Sequence, residues 1–214
     1  MAKRGDGKET RKRLLNAACK MFSQNGYTKT RVADICKQAC ANQASINYYF
    51  KDKAGLYIES WQYSVDRFGE TLFADMEGCS PQEQLQKYIQ NLMNKFTDTG
   101  EKGAFSRLYM MELVNPTGLI QDAWYDKIQP NRQKLHQIIQ NIMGQTPDRE
   151  TLIFCELNIS SQCRSLLTIN PRDMAYFLGQ PLDQDLINRM ADHITQFSIA
   201  GIKALGKTIK PKAP

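Results

Sequence analysis

Apolar side chains recur at helical spacing along nearly the whole chain, and this periodicity constrains the fold more than any other feature. One helical face with i, i+3, i+4, i+7 spacing is formed by Leu15, Ala18, Cys19 and Phe22. No segment shows the sustained alternation of apolar and polar residues that a half-buried strand requires. The pattern predicts helices over residues 8–25, 31–38, 42–48, 53–77, 81–98, 102–114, 118–143, 147–169, 172–178 and 184–206. We therefore expect an all-α fold.

Positive charge is concentrated in the first quarter of the 214-residue chain. Residues 1–60 contain 12 basic and 5 acidic side chains, whereas residues 61–214 contain 16 and 17. Such a field attracts a polyanion, either nucleic acid or an anionic membrane. Solvated helix faces are the ordinary alternative, because they account for most charge runs. The charge distribution alone does not decide between these explanations.

Several classes of protein are excluded by what the sequence lacks. No apolar stretch is long enough to span a membrane, and the basic start of the chain leads into no signal-peptide core. The six cysteines form no Cys-x-x-Cys pair, and together with the two histidines they give no zinc-ligand spacing. A catalytic triad and a glycine-rich phosphate loop are also missing. We expect a cytoplasmic protein with reduced thiols that is not an enzyme and holds no metal or cofactor.

Two short predicted helices in the basic quarter are separated by a turn at residues 39–41. A longer helix precedes them, and Asn42 stands where a residue would cap the second of the pair. This order is typical of a helix-turn-helix, whose second helix enters the DNA major groove. Its outward-facing residues would be Gln43, Ala44, Ser45, Asn47 and Tyr48. Such side chains can hydrogen-bond bases or phosphates, or allow close approach, but an ordinary polar surface helix has a similar composition.

The order of residues is more specific than their composition. The segment Arg13-Leu-Leu-x-Ala-Ala-x-x-x-Phe-x-x-x-Gly-Tyr-x-x-Thr-x-Val-x-x-Ile continues to Ile46-Asn-Tyr-Tyr-Phe-x-x-Lys-x-x-Leu56. Over roughly residues 8–57, this pattern resembles the DNA-binding domain of the TetR family. The resemblance implies a helix-turn-helix domain, which we place at residues 1–54, and a helical ligand-binding and dimerisation domain at residues 55–214.

Two positions depart from the family pattern. Cys40 stands in the turn where the family usually has glycine, and Asn47 stands where many members have tyrosine. Because that turn often needs a positive φ, a strained or slightly altered turn is expected at Cys40. The fold is expected to survive both departures, but the operator sequence of other members cannot be transferred.

The resemblance also implies roles for individual residues, with double-stranded operator DNA as the partner. The residues expected to meet bases or nearby phosphates are Gln43, Ala44, Ser45, Asn47 and Tyr48. Thr30, as the N-cap of helix two, and Lys53, at the start of helix four, would hold the DNA backbone. Arg31 and Tyr49 would add phosphate contacts.

The later part of the chain resembles the C-terminal domain of the CecR-type subgroup. The matching segments are Met111-Glu-Leu-Val-Asn-Pro-Thr117, Ser161-Gln-Cys163 and Phe197-Ser-x-Ala-Gly-Ile202. The last helix is apolar on much of its circumference, which suits either a homodimer seam or packing within the chain. The resemblance favours the homodimer. The residues predicted to form its seam are Cys163, Leu166, Ile194, Phe197, Gly201 and Ile202.

Residues 85–140 combine methionine and aromatic side chains with sparse polar groups, namely Arg107, Glu112 and His136. This composition suits an adaptable small-molecule cavity, although it is more often ordinary core. The candidate ligand-binding residues are Phe105, Tyr109, Met111, Glu112, Trp124 and Gln162. Glu112 could bind a ligand group, pair with Arg107 or cap the end of the helix at Asn115-Pro116.

These features together predict a ligand-responsive transcriptional regulator. We expect a repressor that binds a near-palindromic operator as a homodimer and is released by a small-molecule inducer. The alternative is a ligand-independent or architectural DNA-binding protein, which would bind DNA without regard to sequence and would hold no apolar cavity.

Overall fold

The computed structural model describes residues 4–70, 72–98 and 100–209; the side chains of residues 4–6, 68–70, 101–102, 105 and 171 lie outside that description. The described residues form helices and no strand, which confirms the all-α prediction. The helices are α1 Arg4–Lys29, α2 Val32–Gln38, α3 Gln43–Phe50, α4 Lys53–Glu70, α5 Pro81–Thr97, α6 Glu101–Val114, α7 Gln121–Met143, α8 Arg149–Thr168, α9 Pro171–Leu178 and α10 Gln184–Thr208.

Two compact units divide the chain, and neither is continuous in sequence. Unit 1 combines Met1–Gly69 with Asp98–Ile128, and unit 2 combines Glu70–Thr97 with Gln129–Pro214. Unit 1 therefore adds α4, α6 and the start of α7 to the predicted helix-turn-helix. The boundary between residues 54 and 55 stays a prediction about function, because the packing of the chain does not address it.

Unit 1 is built around α1, which packs against α2, α3 and α6. Leu14 and Phe22 of α1 meet Ile46 of α3 in one buried core, to which Trp61 of α4 and Leu108 of α6 also belong. Complete burial of a side chain of this size contributes about 1.5–3 kcal/mol. The core thus fixes α3 against α1 and leaves the opposite side of α3 free.

Unit 2 is held together by the mutual packing of α5, α8 and α10. Ile89, Ile159 and Ile194 are buried representatives of these three helices. Gly206 allows the end of α10 to approach α7, since a Cβ atom there would lie 2.6 Å from the Met143 carbonyl oxygen. A 2.9 Å hydrogen bond from Gln145 Nε2 to the Gly206 carbonyl stabilises this contact.

A partly buried ionic cluster links α7 to α8 in unit 2. The Arg132 guanidinium donates to both Glu156 oxygens at 2.7–3.0 Å, and His136 Nε2 lies 2.7 Å from Glu156 Oε2. Burial alone would raise the pKa of the Glu156 carboxyl, but the hydrogen bonds and charges of Arg132 and His136 hold that pKa below its usual value. His136 is therefore part of a structural cluster.

The largest difference from the predicted helix boundaries is at the fourth helix, which ends at Glu70 and not at residue 77. Asp75 has φ 55°, a left-handed value that an α-helix cannot accommodate, so the helix could not continue to residue 77. The regular geometry of α1 is interrupted at Gly26, where φ is 72° and ψ is 172°, so the predicted end near residue 25 corresponds to a real kink.

Candidate nucleic-acid interface

The recognition helix candidate, α3, begins with a side-chain cap. Asn42 Oδ1 accepts hydrogen bonds from the Ser45 backbone N–H at 2.9 Å and from the Ser45 hydroxyl at 2.8 Å. The prediction that Asn42 caps this helix is confirmed. Because the Ser45 hydroxyl donates its proton to the cap, only its acceptor lone pairs remain for a DNA contact.

One face of α3 is anchored and the other is open to solvent. Ile46 and Phe50 are buried in the core of unit 1. The exposed side chains are Gln43, Ala44, Asn47 and Tyr48, and 81% of Tyr48 is accessible. An aromatic side chain held this far into solvent on a rigid helix is free to reach a groove or a phosphate.

Tyr49 is less available than its neighbour. It is half-buried and packs against the core of unit 1, and its ring makes an edge contact with Tyr48 at a centroid distance of 4.8 Å. Tyr49 therefore orients the Tyr48 ring in addition to its predicted phosphate contact, which stays a prediction.

Cys40 adopts the left-handed conformation that the turn requires. Its φ is 50°, and the Ala41 N–H donates to the Cys36 carbonyl at 3.0 Å to close the end of α2. The expectation of a positive φ at this position is confirmed. A non-glycine residue is less stable in this conformation by about 1–2 kcal/mol, so Cys40 holds the turn at an energetic cost.

The predicted capping role of Thr30 is wrong. Arg31 occupies the N-cap position of α2 and makes no side-chain cap bond. The Thr30 hydroxyl donates instead toward the Gly26 carbonyl at 2.7 Å and the Met21 carbonyl at 3.2 Å, and only 2% of the residue is exposed. It stabilises the end of α1 and has no free path to a phosphate, whereas the Arg31 side chain is exposed and remains available.

Lys53 stands at the first position of α4, as predicted. Its ammonium lies 4.6 Å from the centroid of the Tyr27 ring and donates to the Thr28 carbonyl at 3.4 Å. Partial burial lowers the pKa of this ammonium from its usual value. These two contacts hold the Lys53 ammonium beside the last turn of α1. From that position it can also bind a phosphate of the DNA backbone.

Glu112, a candidate ligand residue, has internal partners for both of its oxygens. Tyr57 Oη donates to Oε2 at 2.6 Å, and Oε1 accepts from the Thr117 N–H and hydroxyl, each at 2.8 Å. Burial, and then the hydrogen bond and charge of Glu112, raise the pKa of Tyr57. The two bonds from Thr117 support the expectation that Glu112 caps the segment that follows α6. No hydrogen bond between Glu112 and Arg107 is seen among the described residues.

Two aromatic candidates belong to a stack in unit 1. The Trp124 ring lies between Trp61, at a centroid distance of 5.4 Å, and Tyr109, at 5.6 Å. Trp61 is buried and the other two are half-buried. This stack is core packing, and any ligand contact would use the remaining edges of Tyr109 and Trp124.

The other ligand candidates lie apart. Met111 lines a cavity of about 740 Å³ in unit 1, between the end of α1 and the end of α6. Gln162 lies on α8 in unit 2, where its side chain donates to the Asn158 carbonyl at 3.2 Å. The Phe105 side chain lies outside the described residues. The ligand-binding role of these residues stays a prediction.

Four of the predicted dimer residues are buried inside unit 2. Their exposed fractions are 0% for Cys163, 7% for Leu166, 5% for Ile194 and 3% for Ile202. Burial also raises the pKa of Cys163 to about 12, so its thiol remains protonated. These side chains serve the core, and a partner chain would have no access to them.

Other apolar residues of α8 and α10 are exposed, and together they make up the apolar surface of these two helices. Phe197 is 64% exposed, and Gly201, one turn later, has open space around it. Sequence reasoning missed three further exposed members of this surface, namely Phe154, Leu157 and Leu205. Their spacing could have found them, because Phe154 and Leu157 lie beside the buried stripe of α8 and Leu205 lies four residues after Gly201.

Neither a metal site nor a membrane span is seen in the part of the chain that the structure describes. Its His, Cys, Asp and Glu side chains form no group of three that could hold a metal ion. None of the helices over the same residues combines the length and apolar character needed to cross a bilayer.

Comparison with known families accounts for most of the chain. Residues 14–59 match the family described as bacterial regulatory proteins, tetR family. Residues 81–202 match the family described as HTH-type transcriptional dual regulator CecR, C-terminal domain, and this match alone covers more than half of the chain. Both resemblances seen in the sequence are confirmed.

Curated relatives are transcriptional regulators. The uncharacterised HTH-type regulator YuxN of Bacillus subtilis is 25% identical over 194 residues, which are 86% of this chain and 65% of that protein. The regulator RutR of Escherichia coli is 30% identical over 112 residues, or 52% of this chain and 51% of RutR. The chain thus spans less than two thirds of the length of each.

Solved structures with this fold include two regulators named FadR. The Bacillus subtilis protein, solved in complex with stearoyl-CoA, has a TM-score of 0.68 and 18% identity over 89% of this chain and 98% of its own. The Bacillus halodurans protein has a TM-score of 0.69 and 14% identity over 90% and 95% of the respective chains. At these identities the likeness shows the fold. The two family matches and this fold show that the chain belongs to the TetR family of bacterial transcriptional regulators and has a CecR-type C-terminal domain.

Proposed function

We propose that this protein is a homodimeric repressor that binds a near-palindromic DNA operator and is released by a small-molecule effector. DNA recognition would be carried by the open face of α3, through Gln43, Ala44, Ser45, Asn47 and Tyr48. Arg31, Tyr49 and Lys53 would bind the flanking phosphates. The concentration of basic side chains in residues 1–60 would supply the sequence-independent part of the affinity.

The observation that carries the effector-responsive part of the proposal is the packing of α6 along α1. Residues 101–114 belong to the segment that matches the CecR-type C-terminal domain, yet they pack in the same unit as the helix-turn-helix. A shift of α6 would therefore be transmitted to α1 and, through their common core, to α3. A ligand coupled to DNA in this way typically changes affinity by about 1–3 kcal/mol, and DNA changes the affinity for ligand equally.

The homodimer is supported by the apolar surface on α8 and α10. Phe154, Leu157, Phe197 and Leu205 are between 42% and 64% exposed, and a partner chain that covered them would remove this apolar area from water. Two copies joined through these helices would present two α3 helices, and half-sites about 34 Å apart would lie in successive major grooves.

One solved protein of the same fold suggests which effectors to test first. The stearoyl-CoA complex of Bacillus subtilis FadR shows that a protein of this fold binds a long, anionic, acyl-bearing molecule. The low identity of that neighbour does not transfer the ligand to this chain. It does support testing acyl-CoA molecules among the first candidate effectors.

Footprinting on the DNA that flanks the gene for this protein tests the proposal. We expect two protected half-sites related by a near-palindrome, protected at lower protein concentration than random DNA of equal length. Protection that spreads with DNA length, regardless of sequence, would favour the architectural alternative and contradict the proposal.

A further inference from the structure

A cavity of about 550 Å³ lies within unit 1 between α1, the turn after α2 and the start of α6. It is distinct from the Met111 cavity at the other end of α6. The residues that matter for its chemistry are Arg13, Asn16, Lys20, Gln38, Cys40 and Arg107. The volume falls within the range of about 300–1,000 Å³ that is usual for small-molecule sites.

The charged side chains among the described residues that line this cavity are all cationic. Arg13, Lys20 and Arg107 contribute three cations, and none of the described residues that line it is acidic. Arg13 donates to the Thr10 hydroxyl at 3.2 Å and Arg107 to the Asp98 carbonyl at 3.2 Å, so each bond is to a neutral oxygen. A guanidinium has five N–H donors, and both side chains therefore keep donors for another group.

A buried amide in the cavity wall lacks a partner. Asn16 Oδ1 is inaccessible to solvent and accepts no hydrogen bond from the described residues. The amides of Gln24 and Gln38 line the same space. The wall thus combines three cations with neutral groups that can donate hydrogen bonds.

We propose that this cavity binds a small anionic metabolite through a phosphate or carboxylate group. Arginine and lysine side chains that converge on one space, with amides beside them, are the chemistry that recognises such a group. Other charges bear on the site: the Asp98 carboxyl accepts from the Gly100 N–H at 2.6 Å, near the α6 terminus that lines the cavity. Asp98 itself does not line the cavity.

The position of the cavity gives its occupant a regulatory role, which rests on the proposed function. Gln38 and Cys40 lie in the chain just before Asn42, the cap of the recognition helix, whereas Arg107 lies on α6. An anion that bridges these elements would restrain α3 relative to α6. Operator affinity would then depend on the anion, and by linkage the anion would bind with different affinity in the presence of operator.

Calorimetric titration of the intact protein with inorganic pyrophosphate and with citrate, at matched ionic strength, tests the site. We expect saturable binding of at least one anion, weakened about 10-fold in Lys20→Gln and in Arg107→Gln, which corresponds to about 1.4 kcal/mol for each charge. Lys12→Gln removes an exposed charge of α1 that does not line the cavity, and it should bind like the wild type. Lys20 is exposed, so its variant tests the site even if Arg107→Gln unfolds.

The absence of saturable binding of either anion would overturn the proposal, and so would an equal loss in Lys12→Gln. Loss of operator affinity in Lys20→Gln, without anion binding by the wild type, would assign the cations to DNA phosphates and also overturn it. Operator retardation by the wild-type protein without added anion is measured separately. A failure there would count against the proposed repressor function and not against the anion site.

Discussion

The Tyr57 hydroxyl donates a 2.6 Å hydrogen bond to Glu112 Oε2, which joins α4 to α6 in the interior of unit 1. The other Glu112 oxygen holds the Thr117 N–H and hydroxyl, so one side chain fixes α4, α6 and the segment that follows α6. Any displacement of α6 along α1 must therefore break this arrangement or carry Tyr57 with it.

Tyr57→Phe should destabilise the protein by about 1–3 kcal/mol, because Glu112 Oε2 would be buried without a donor. Glu112→Gln should have a similar effect, and the double variant should lose less than the sum of the two single losses. Urea unfolding of the four proteins gives the coupling energy. Additive losses would show that the bond contributes nothing of its own. For the proposed regulator, we also expect Glu112→Gln to change the effector response more than the operator affinity.

Tyr48→Ala should weaken operator binding, because 81% of this side chain is exposed on the open face of α3. A lost base contact corresponds to about 1–3 kcal/mol, or roughly 5- to 150-fold in dissociation constant. Lys53→Gln should weaken binding to all DNA sequences and lower the salt dependence of log K by about 1. Gel retardation across a salt series measures both effects.

Tyr125→Ala is the matched control for Tyr48, since this tyrosine is 73% exposed on α7 and lies outside the recognition helix. It should bind operator like the wild type. Unchanged retardation by both Tyr48→Ala and Lys53→Gln would contradict the proposed interface.

Phe197→Asp should give folded monomers that bind operator weakly, because Phe197 is 64% exposed on α10. Ile202→Asp should instead unfold unit 2, since Ile202 is 3% exposed and a charge there would be buried without a partner. Sizing combined with circular dichroism separates the two outcomes. Phe177→Asp, at a 74% exposed position on α9, is the control. If it alone produced monomers, the seam would have to be moved to α9.

Cys40→Gly should raise the stability of the protein by about 1 kcal/mol, because glycine adopts a positive φ without the steric penalty of a Cβ atom. Cys40→Ala keeps the Cβ atom and should show little or no gain. The comparison of the two midpoints in urea isolates the backbone effect from loss of the thiol. Equal midpoints for the two variants would show that φ 50° is not strained in this turn.

Acid should weaken the Arg132–Glu156–His136 cluster. The folded-state pKa of Glu156 lies below its ordinary value of 4.5, so the stabilisation is complete above that value. It is lost as the pH falls from 4.5 through the lower folded-state pKa. Glu156→Gln should cost about 1–3 kcal/mol at pH 7, and the difference from the wild type should shrink by pH 3.5. A difference independent of pH would mean that the charge of Glu156 does not contribute.

The sequence predicted best what depends on local patterns. Asn42 is recognisable as a cap because a short acceptor before a helix serves that purpose in almost any context. Thr30 has the same chemistry one residue too early, and its hydroxyl bonds back to the Gly26 carbonyl, four residues earlier. A threonine at a helix boundary can cap the following helix or bond back to a preceding carbonyl, and the residue pattern does not decide between these two local partners.

The faces of α8 and α10 illustrate the same limit. Cys163 and Phe197 are both apolar, and helical spacing shows that each belongs to an apolar face. It does not show which face packs on α5 and which remains open, because both helices are apolar on more than one side. Burial separates the two sets: of the residues predicted for the seam, Phe197 is exposed to a partner whereas Cys163 is not.

If the exposed apolar surface of α8 and α10 joins two chains, operator binding also depends on the concentration of the protein itself. If the pair is the form that recognises both half-sites, then at low concentration the number of competent dimers grows with the square of the number of chains. Dilution would release the operator without any effector, and thermal midpoints would rise with protein concentration. A cell could therefore set the threshold of this switch simply by how many copies it makes.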